Sequence, residues 1–203
     1  WFGNSITSKD IADMWIHESF TCYSESVFLE CLYGYDTSQL YINGLKRNIQ
    51  NDKPIIGYYG VANEGSGDMY YKGALMLNTI RHIINDDAKW WRILLKYSET
   101  FRHQIIDAKM VIDFFNVETN LNLTPVFYQY IKHTWIPLLI ADVDKKKQLI
   151  LKWDTDEPHF EMPVEIMIHG KLKRIRVGNE WTKTKEKIKS ANKNPELLRT
   201  IFF

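Results

Sequence analysis

The sequence has few cysteines, no long apolar run and almost no net charge. Its two cysteines, Cys22 and Cys31, lie in one predicted helix, where a nine-residue separation corresponds to about 13 Å, too far for a disulfide bond between them. We interpret both as small buried side chains, and they do not indicate the compartment. No apolar stretch reaches the ~20 residues of a membrane-spanning helix. A net charge of +1 gives no large field that would favour nucleic acid or an anionic membrane as partner.

Aromatic residues, in contrast, are abundant. They make up 14% of the chain, while hydrophobic residues make up 45% and charged residues 25%. This composition is typical of a globular protein, and 203 residues are enough for one or two domains with a full core. We expect most of the tryptophan and tyrosine side chains to fill that core.

Apolar residues recur at helical spacing over most of the first two thirds of the chain. The predicted helices are 8–33, 36–50, 68–84, 87–101, 108–118 and 124–134. The residues that we expect to cap helix N-termini are Thr7 or Ser8, Asp68, Asp86, Asp107 and Thr124. The segment 51–67 contains Pro54 and four glycines and is predicted to be a long loop. Loops of this length are often functional.

The periodicity changes from helical to alternating near residue 141. Segments 148–153, 161–169 and 171–177 are predicted strands, with His169-Gly170 as a hairpin turn, and further strands are expected at Trp181-Thr182 and 197–203. The sequence therefore predicts an α+β fold, with a mostly helical domain at 1–142 and a small all-β domain at 143–203.

Two acidic residues mark the first predicted helix. Glu18 and Glu25 are seven residues apart, which is two helical turns, so both side chains point to the same face. Carboxylates on an otherwise apolar face are unfavourable unless they are paired or bind a metal. From the spacing alone, the pair fits either a metal site or the edge of a solvated surface.

The residues around Glu18 favour the metal site. The elements Trp1-Phe2-Gly3-Asn4, Thr7, Trp15 to Thr21, Tyr23 and Glu25 resemble the gluzincin zinc aminopeptidases, relatives of aminopeptidase N and leukotriene hydrolase, and are most similar to bacterial members. In that family a His-Glu-x-x-His helix is followed, after eighteen residues, by a ligating Glu. The resemblance implies that Glu18 is the third zinc ligand and that the His-Glu-x-x-His segment lies just before Trp1. Glu25 matches the family's acid that orients a ligating histidine.

A second element is Asp68-Met69-Tyr70-Tyr71-Lys72-Gly73-Ala74, which resembles the family's Tyr-x-Lys-Gly motif. The match selects Tyr70, two positions before Lys72, as the catalytic donor to the oxyanion of the tetrahedral intermediate. Outside this resemblance, a Tyr-Tyr pair at a helix start is usually a packing feature. Gly73 would let its helix approach a neighbouring helix closely.

The sequence also departs from the family pattern. His17 and Ser19 flank Glu18, where the family often has Asn and Gly. His17 points about 100° away from Glu18 on a helix, and we interpret it as a substrate-side or packing residue. The helical segments between 90 and 130 resemble the rest of the family's thermolysin-like helical subdomain. The part after 145 resembles the small β-sandwich that follows it.

The resemblance implies a zinc-dependent aminopeptidase that hydrolyses N-terminal residues from peptides, with Zn²⁺ as cofactor. Its general base and amine-anchoring residues would lie in the missing N-terminal part of the same protein. We therefore expect the isolated chain to be inactive and to bind zinc weakly or not at all. Trp1, Phe2 and the Glu18 face would then be exposed, so self-association is expected. The substrate preference and the compartment stay open.

The main alternative is a non-catalytic helical and β protein-interaction module derived from a metallopeptidase. A weaker alternative is another activity of the same family, such as hydrolysis of a non-peptide ligand. The presence of Glu18, Glu25 and Tyr70 together favours an enzyme over a decayed relative.

Overall fold

The computed structural model describes residues 2–168 and 170–187, which form two compact units divided between Thr134 and Trp135. The sequence-based division after residue 142 is later than this boundary. The difference arises because the first strand of the second unit, Leu138–Val143, is an apolar run directly after Pro137. Such a run lacks the alternation by which a half-buried strand is recognised.

The first unit is mainly helical. Its elements in chain order are β1 (Ile6–Ser8), α1 (Met14–Tyr33), α2 (Tyr35–Gly44), α3 (Tyr71–Ile84), α4 (Asp87–Thr100), β2 (Gln104–Ile106), α5 (Ala108–Thr119) and α6 (Thr124–Lys132). Single turns of 3-10 helix lie at Ile11–Asp13, Leu45–Asn48 and Gly67–Met69. The segment from 49 to 66 has no helix or strand, which confirms the predicted long loop.

The start of the first predicted helix is wrong by six residues. Ser8 belongs to β1, which pairs in parallel with β2, so neither Thr7 nor Ser8 is a cap. Asp10 instead caps the 3-10 turn that precedes α1, because its carboxylate accepts a hydrogen bond of 2.9 Å from the Ala12 amide. The backbone hydrogen bonds of a strand took precedence over the local capping preference.

The other predicted caps give mixed outcomes. The side chains of Asp86 and Asp107 accept hydrogen bonds from backbone amides three residues on, and both caps are confirmed. Asp68 does not cap α3, because its carboxylate accepts from the Gln50 and Asn51 amides. Thr124 is the first residue of α6 rather than its cap.

An aromatic core surrounds α1, as predicted from the composition. Phe20 stacks on Tyr97 with ring centroids 4.6 Å apart, and Trp90 donates an indole hydrogen bond of 3.0 Å to the Tyr23 hydroxyl. Phe2 packs against Phe20 at 5.3 Å, so this side chain is half-buried rather than exposed. Trp1 lies outside the described residues.

The two cysteines differ in their surroundings. Both are free thiols, and Cys22 is buried while Cys31 is exposed. The expectation that both are buried was therefore wrong for Cys31. Its helix reaches the surface near its C-terminal end, where Phe28, Leu32 and Tyr33 are also exposed. Within the described ranges, no helix combines the length and the apolar character that a membrane crossing requires.

The second unit consists of antiparallel strands. They are β3 (Leu138–Val143), β4 (Gln148–Asp154), β5 (Glu161–Ile168), β6 (Lys171–Gly178) and β7 (Thr182–Lys187). Strands β3, β4 and β7 form one sheet, and β5 pairs with β6 in another. Buried residues alternate along β5, as a sheet with one face in the core requires.

The β5–β6 hairpin closes with Ile168 opposite Lys171. Gly170 has φ +71°, a value that glycine adopts at little cost, so its place in the predicted turn is confirmed. His169 and the predicted strand at 197–203 lie outside the described residues. With one helical and one β unit, the α+β prediction is confirmed.

Candidate metal and oxyanion site

Helix α1 carries the acidic residues of the site. Glu18 is half-buried and Glu25 is exposed, and both lie on the face of α1 that also holds the buried Cys22. Burial raises the pKa of the Cys22 thiol to about 12, and the negative charges of Glu25 and Glu18 add to the rise. The thiol therefore stays protonated at neutral pH and is a poor metal ligand or nucleophile.

The crossing of α1 and α3 sets the position of Glu18 relative to Tyr70. A Cβ atom at Gly73 would lie 1.9 Å from the Ser19 hydroxyl oxygen, so only glycine permits this contact. The same hydroxyl donates a buried hydrogen bond of 2.9 Å to the Met69 carbonyl. Ser19 follows Glu18 and Met69 precedes Tyr70, so one contact fixes the spacing of both candidate residues. The predicted close approach at Gly73 is confirmed.

Tyr70 lies directly before α3, with 43% of its surface exposed. Its pKa is raised first by partial burial, then by the negative charge of Glu18 and by a hydrogen bond to the Glu18 carboxylate. The charge of Glu64 and the neighbouring Tyr71 contribute further. Tyr70 is therefore a neutral phenol at pH 7 that can donate a hydrogen bond. The structure brings together Tyr70 and Glu18, two residues that are 52 positions apart in the chain.

Tyr71 has a different environment from Tyr70. Its ring centroid is 6.4 Å from that of Tyr70, but its side chain is half-buried and acts on the pKa of Tyr41, a residue of α2. Tyr41 in turn donates a hydrogen bond to Glu25. Glu25 thus has a partner from a helix that the sequence did not connect with the site.

Lys72, the third residue of the Tyr-x-Lys-Gly element, has a structural role. It is fully buried, and its ammonium donates hydrogen bonds of 2.8 and 2.7 Å to the carbonyls of His133 and Thr134. These carbonyls lie just beyond the C-terminal end of α6, where the helix dipole favours a cation. Lys72 therefore joins α3 to the segment that follows α6.

The loop before Tyr70 is anchored at both ends. At its start, the amides of Gln50 and Asn51 donate hydrogen bonds of 2.8 and 2.7 Å to the carboxylate of Asp68. At its end, Gly65 has φ +81°, and a Cβ atom there would lie 2.3 Å from the Ile55 carbonyl oxygen. The loop folds back on itself at this point, and the charge of Glu64, the preceding residue, raises the pKa of Tyr70.

The middle of the same loop attaches to the N-terminal end of α1. The Tyr59 hydroxyl donates a 2.8 Å hydrogen bond to the buried Asp13, and the Gly60 amide donates one of 2.9 Å to Asp10. Burial is the largest effect on the pKa of Asp13 and raises it, while the Tyr59 hydrogen bond acts in the opposite direction. These contacts make the loop part of the packed unit.

His17 is a packing residue. Its Nε2 atom accepts a 2.8 Å hydrogen bond from the Ser8 amide, and its ring lies against Gly3. Burial lowers the pKa of His17, and the nearby Glu18 only partly offsets this effect. Nε2 is therefore occupied as an acceptor, which favours the packing role over the substrate-side role for His17.

The charge around the site is negative. Within the described part of the chain, no lysine or arginine forms an ion pair with Glu18, Glu25 or Glu64. Uncompensated carboxylates of this kind favour a bound cation or a cationic ligand.

A zinc site needs three or four close ligands. No group of three or more histidine, cysteine or acidic side chains in the described residues has the arrangement of a metal site. Glu18 fits one position of such a site, as a half-buried helical carboxylate without a cationic partner. Glu18 would therefore need further ligands to form a zinc site.

Comparison with known proteins gives the family. Residues 1–130 match the peptidase family M1 domain. The chain belongs to peptidase family M1. This assignment agrees with the resemblance to gluzincin zinc aminopeptidases.

Individual relatives are distant. Aminopeptidase B of Mus musculus is 24% identical over 129 residues, which cover 57% of this chain and 20% of that protein. The M1 zinc metallopeptidase of Deinococcus radiodurans bound to a Tyr-Ser-Ala substrate is 20% identical, with a TM-score of 0.56 over 68% of this chain and 32% of that chain. The aminopeptidase A of Legionella pneumophila in complex with aspartic acid is 15% identical, with a TM-score of 0.66 over 91% of this chain and 22% of that one. The chain spans a third or less of the length of these relatives, and such structural likeness concerns the fold.

Some residues of the site were not predicted from the sequence. Ser19 was noted only as a departure from the family pattern, and Tyr41 and Glu64 were not singled out. Tyr41 lies on another helix and Glu64 in an irregular loop, so neither has a spacing that relates it to Glu18. The predicted close approach at Gly73 indicated that some residue of a neighbouring helix lies against it. That residue is Ser19, which the sequence pattern did not identify.

Proposed function

We propose that the protein containing this chain is a zinc-dependent aminopeptidase that hydrolyses N-terminal residues from peptides. The observation that carries this proposal is the convergence of Glu18 and Tyr70, a carboxylate and a neutral phenol, in a site without compensating cations. Membership of peptidase family M1 supports it. In this proposal Glu18 is one zinc ligand, and histidines outside this chain are the others.

Three residues of the chain, Glu18, Tyr70 and Glu25, have distinct roles in the proposed reaction. Zinc, when bound, would polarise the scissile carbonyl and lower the pKa of a bound water molecule. The Glu18 carboxylate would hold the metal from the α1 side. The Tyr70 hydroxyl would donate a hydrogen bond to the oxygen that becomes negative in the tetrahedral intermediate. Glu25 would accept a hydrogen bond from a ligating histidine and orient its ring.

Negative charge also suits the substrate. A peptide N-terminus is largely protonated at neutral pH, and the exposed carboxylate of Glu64, which forms no ion pair within the described residues, adds an attractive negative charge. The residues that hold the substrate's amine, and the general base, are proposed to lie outside this chain. We therefore propose that the isolated chain is inactive and holds zinc weakly or not at all.

The proposal can be tested with the full-length protein that contains this chain. Zinc content and release of N-terminal residues from short peptides would be measured for wild type, Glu18→Gln and Glu99→Gln, an exposed glutamate of α4. We expect Glu18→Gln to lose both zinc and activity and Glu99→Gln to keep both. A wild-type protein without zinc or activity would contradict the proposal and favour the protein-interaction module. Activity only on a non-peptide ligand would favour the other alternative.

A further inference from the structure

Glu25 has a hydrogen-bond donor from a neighbouring helix. The hydroxyl of Tyr41, a half-buried residue of α2, donates to the Oε2 atom of Glu25. Glu25 is exposed, so its charge is hydrated and needs no partner for the fold to be stable. The contact therefore restricts the orientation of Glu25 more than it compensates a buried charge.

Helix α2 holds Tyr41 in a fixed position. On one side, the hydroxyls of Ser38 and Ser26 form a buried hydrogen bond of 2.8 Å that joins α2 to α1. On the other side, the amides of Gln39 and Asn78 exchange hydrogen bonds of 3.1 and 3.3 Å that join α2 to α3. Tyr41 follows both anchors within one helical turn. Its hydroxyl is therefore placed by two helix contacts, as a residue must be if it orients another side chain.

The direction of the hydrogen bond is also fixed. Burial raises the pKa of Tyr41, and the hydrogen bond to Glu25 and the charge of Glu25 raise it further. Tyr41 is thus a neutral donor and Glu25 the acceptor. Because Tyr41 occupies Oε2, the other carboxylate oxygen of Glu25 stays available for a second donor.

We propose that Tyr41 is a positioning residue, which through its hydrogen bond to Glu25 sets the orientation of a zinc-ligating histidine. This inference rests on the proposed function, in which Glu25 accepts a hydrogen bond from that histidine. Neither Tyr41 nor α2 contacts the metal in this arrangement. Tyr41 holds one carboxylate oxygen of Glu25, and the other oxygen accepts the hydrogen bond from the zinc-ligating histidine.

The test uses the full-length, zinc-loaded protein and the rate of zinc release to a chromogenic chelator. Removal of a residue that supports a metal ligand typically weakens metal binding 10- to 100-fold. We expect Tyr41→Phe to release zinc about tenfold faster than wild type. Thr37→Val is the matched control, because it removes an exposed hydroxyl of the same helix that donates to the Tyr33 carbonyl and is not one of the two anchors of α2. It should leave both zinc release and the thermal midpoint close to those of wild type.

A double-mutant cycle shows whether Tyr41 acts through Glu25. In a Glu25→Ala background, Tyr41→Phe should have no further effect on zinc release. An unchanged release rate in the single Tyr41→Phe variant would overturn the inference. An equal acceleration in Thr37→Val, or the same acceleration in the Glu25→Ala background, would overturn it as well. A wild-type protein that holds no zinc would instead refute the proposed function itself.

Discussion

Replacement of Gly73 by alanine tests the helix crossing that places Glu18 beside Tyr70. The new methyl group would lie 1.9 Å from the hydroxyl oxygen and 2.6 Å from the Cβ atom of Ser19. Ser19 would have to rotate or α1 and α3 would have to separate. Either movement breaks the 2.9 Å hydrogen bond from Ser19 to the Met69 carbonyl.

The magnitude follows from three contributions. Overpacking of a tight core contact costs about 1–3 kcal/mol, and an unsatisfied buried carbonyl costs about 1–3 kcal/mol. The higher helix propensity of alanine returns about 1 kcal/mol. We therefore expect Gly73→Ala to lower the free energy of unfolding by about 1–5 kcal/mol.

Ser19→Gly supplies the matched control. Alone it removes the hydrogen bond to Met69 and a favourable helical residue, so it should cost about 1–2 kcal/mol. In the double variant the clash is gone, because the nearest remaining atom of residue 19 is its Cα at 3.3 Å. Gly73→Ala should then cost less than about 1 kcal/mol in the Ser19→Gly background.

Urea unfolding of the wild-type 203-residue chain, the two single variants and the double variant measures this cycle. Strong non-additivity, with most of the cost of Gly73→Ala absent in the Ser19→Gly background, is the predicted result. If the two effects add to within about 0.5 kcal/mol, the residues are not in contact. The close crossing of α1 and α3 would then be refuted.

Two further predictions concern pH. His17 accepts from Ser8 and has a lowered pKa, so its contribution to stability is present above pH 6.5 and is lost as the pH falls through the folded-state pKa. In His17→Gln the amide oxygen can still accept the hydrogen bond from Ser8, but it does not titrate. Between pH 7 and pH 5 the thermal midpoint of this variant should therefore fall less than that of wild type. An equal fall in both proteins would contradict the role of His17. Tyr59→Phe should cost about 1–3 kcal/mol at pH 7, because buried Asp13 loses its donor. Burial raises the pKa of Asp13, and the loss of Tyr59 would raise it further. The stability deficit of Tyr59→Phe should therefore shrink at lower pH, as Asp13 becomes protonated. Urea unfolding that gives the same deficit at pH 4 and pH 7 would contradict this prediction.

The α+β fold and the approximate helix positions were predictable from the sequence because they depend on local pattern. The prediction was least accurate where a tertiary contact took precedence over a local preference. Ser8 pairs with a strand that is almost a hundred residues away, so its capping preference is not used. Asp68 accepts from the distant amides of Gln50 and Asn51 instead of capping α3.

In the candidate site, too, some features were predictable from local sequence pattern and others depend on tertiary contacts. The common face of Glu18 and Glu25 follows from helical periodicity, and Gly73 implied a close helix neighbour. The choice of Tyr70 over Tyr71 came from family resemblance alone, since adjacent tyrosines have no distinguishing spacing. The hydrogen bond between Tyr41 and Glu25 joins two helices and has no sequence pattern, so only the folded chain reveals it.

The comparison of Tyr70→Phe with Tyr71→Phe in the full-length protein tests directly whether Tyr70 is the oxyanion donor of a zinc aminopeptidase. Both changes remove one hydroxyl from adjacent tyrosines, so they form a matched pair. We predict that Tyr70→Phe keeps its zinc and lowers kcat by about 10²–10³-fold, as loss of an oxyanion donor does in other hydrolases. Tyr71→Phe should change kcat by only a few-fold. If Tyr71→Phe loses activity and Tyr70→Phe retains it, the assignment of the oxyanion donor is contradicted.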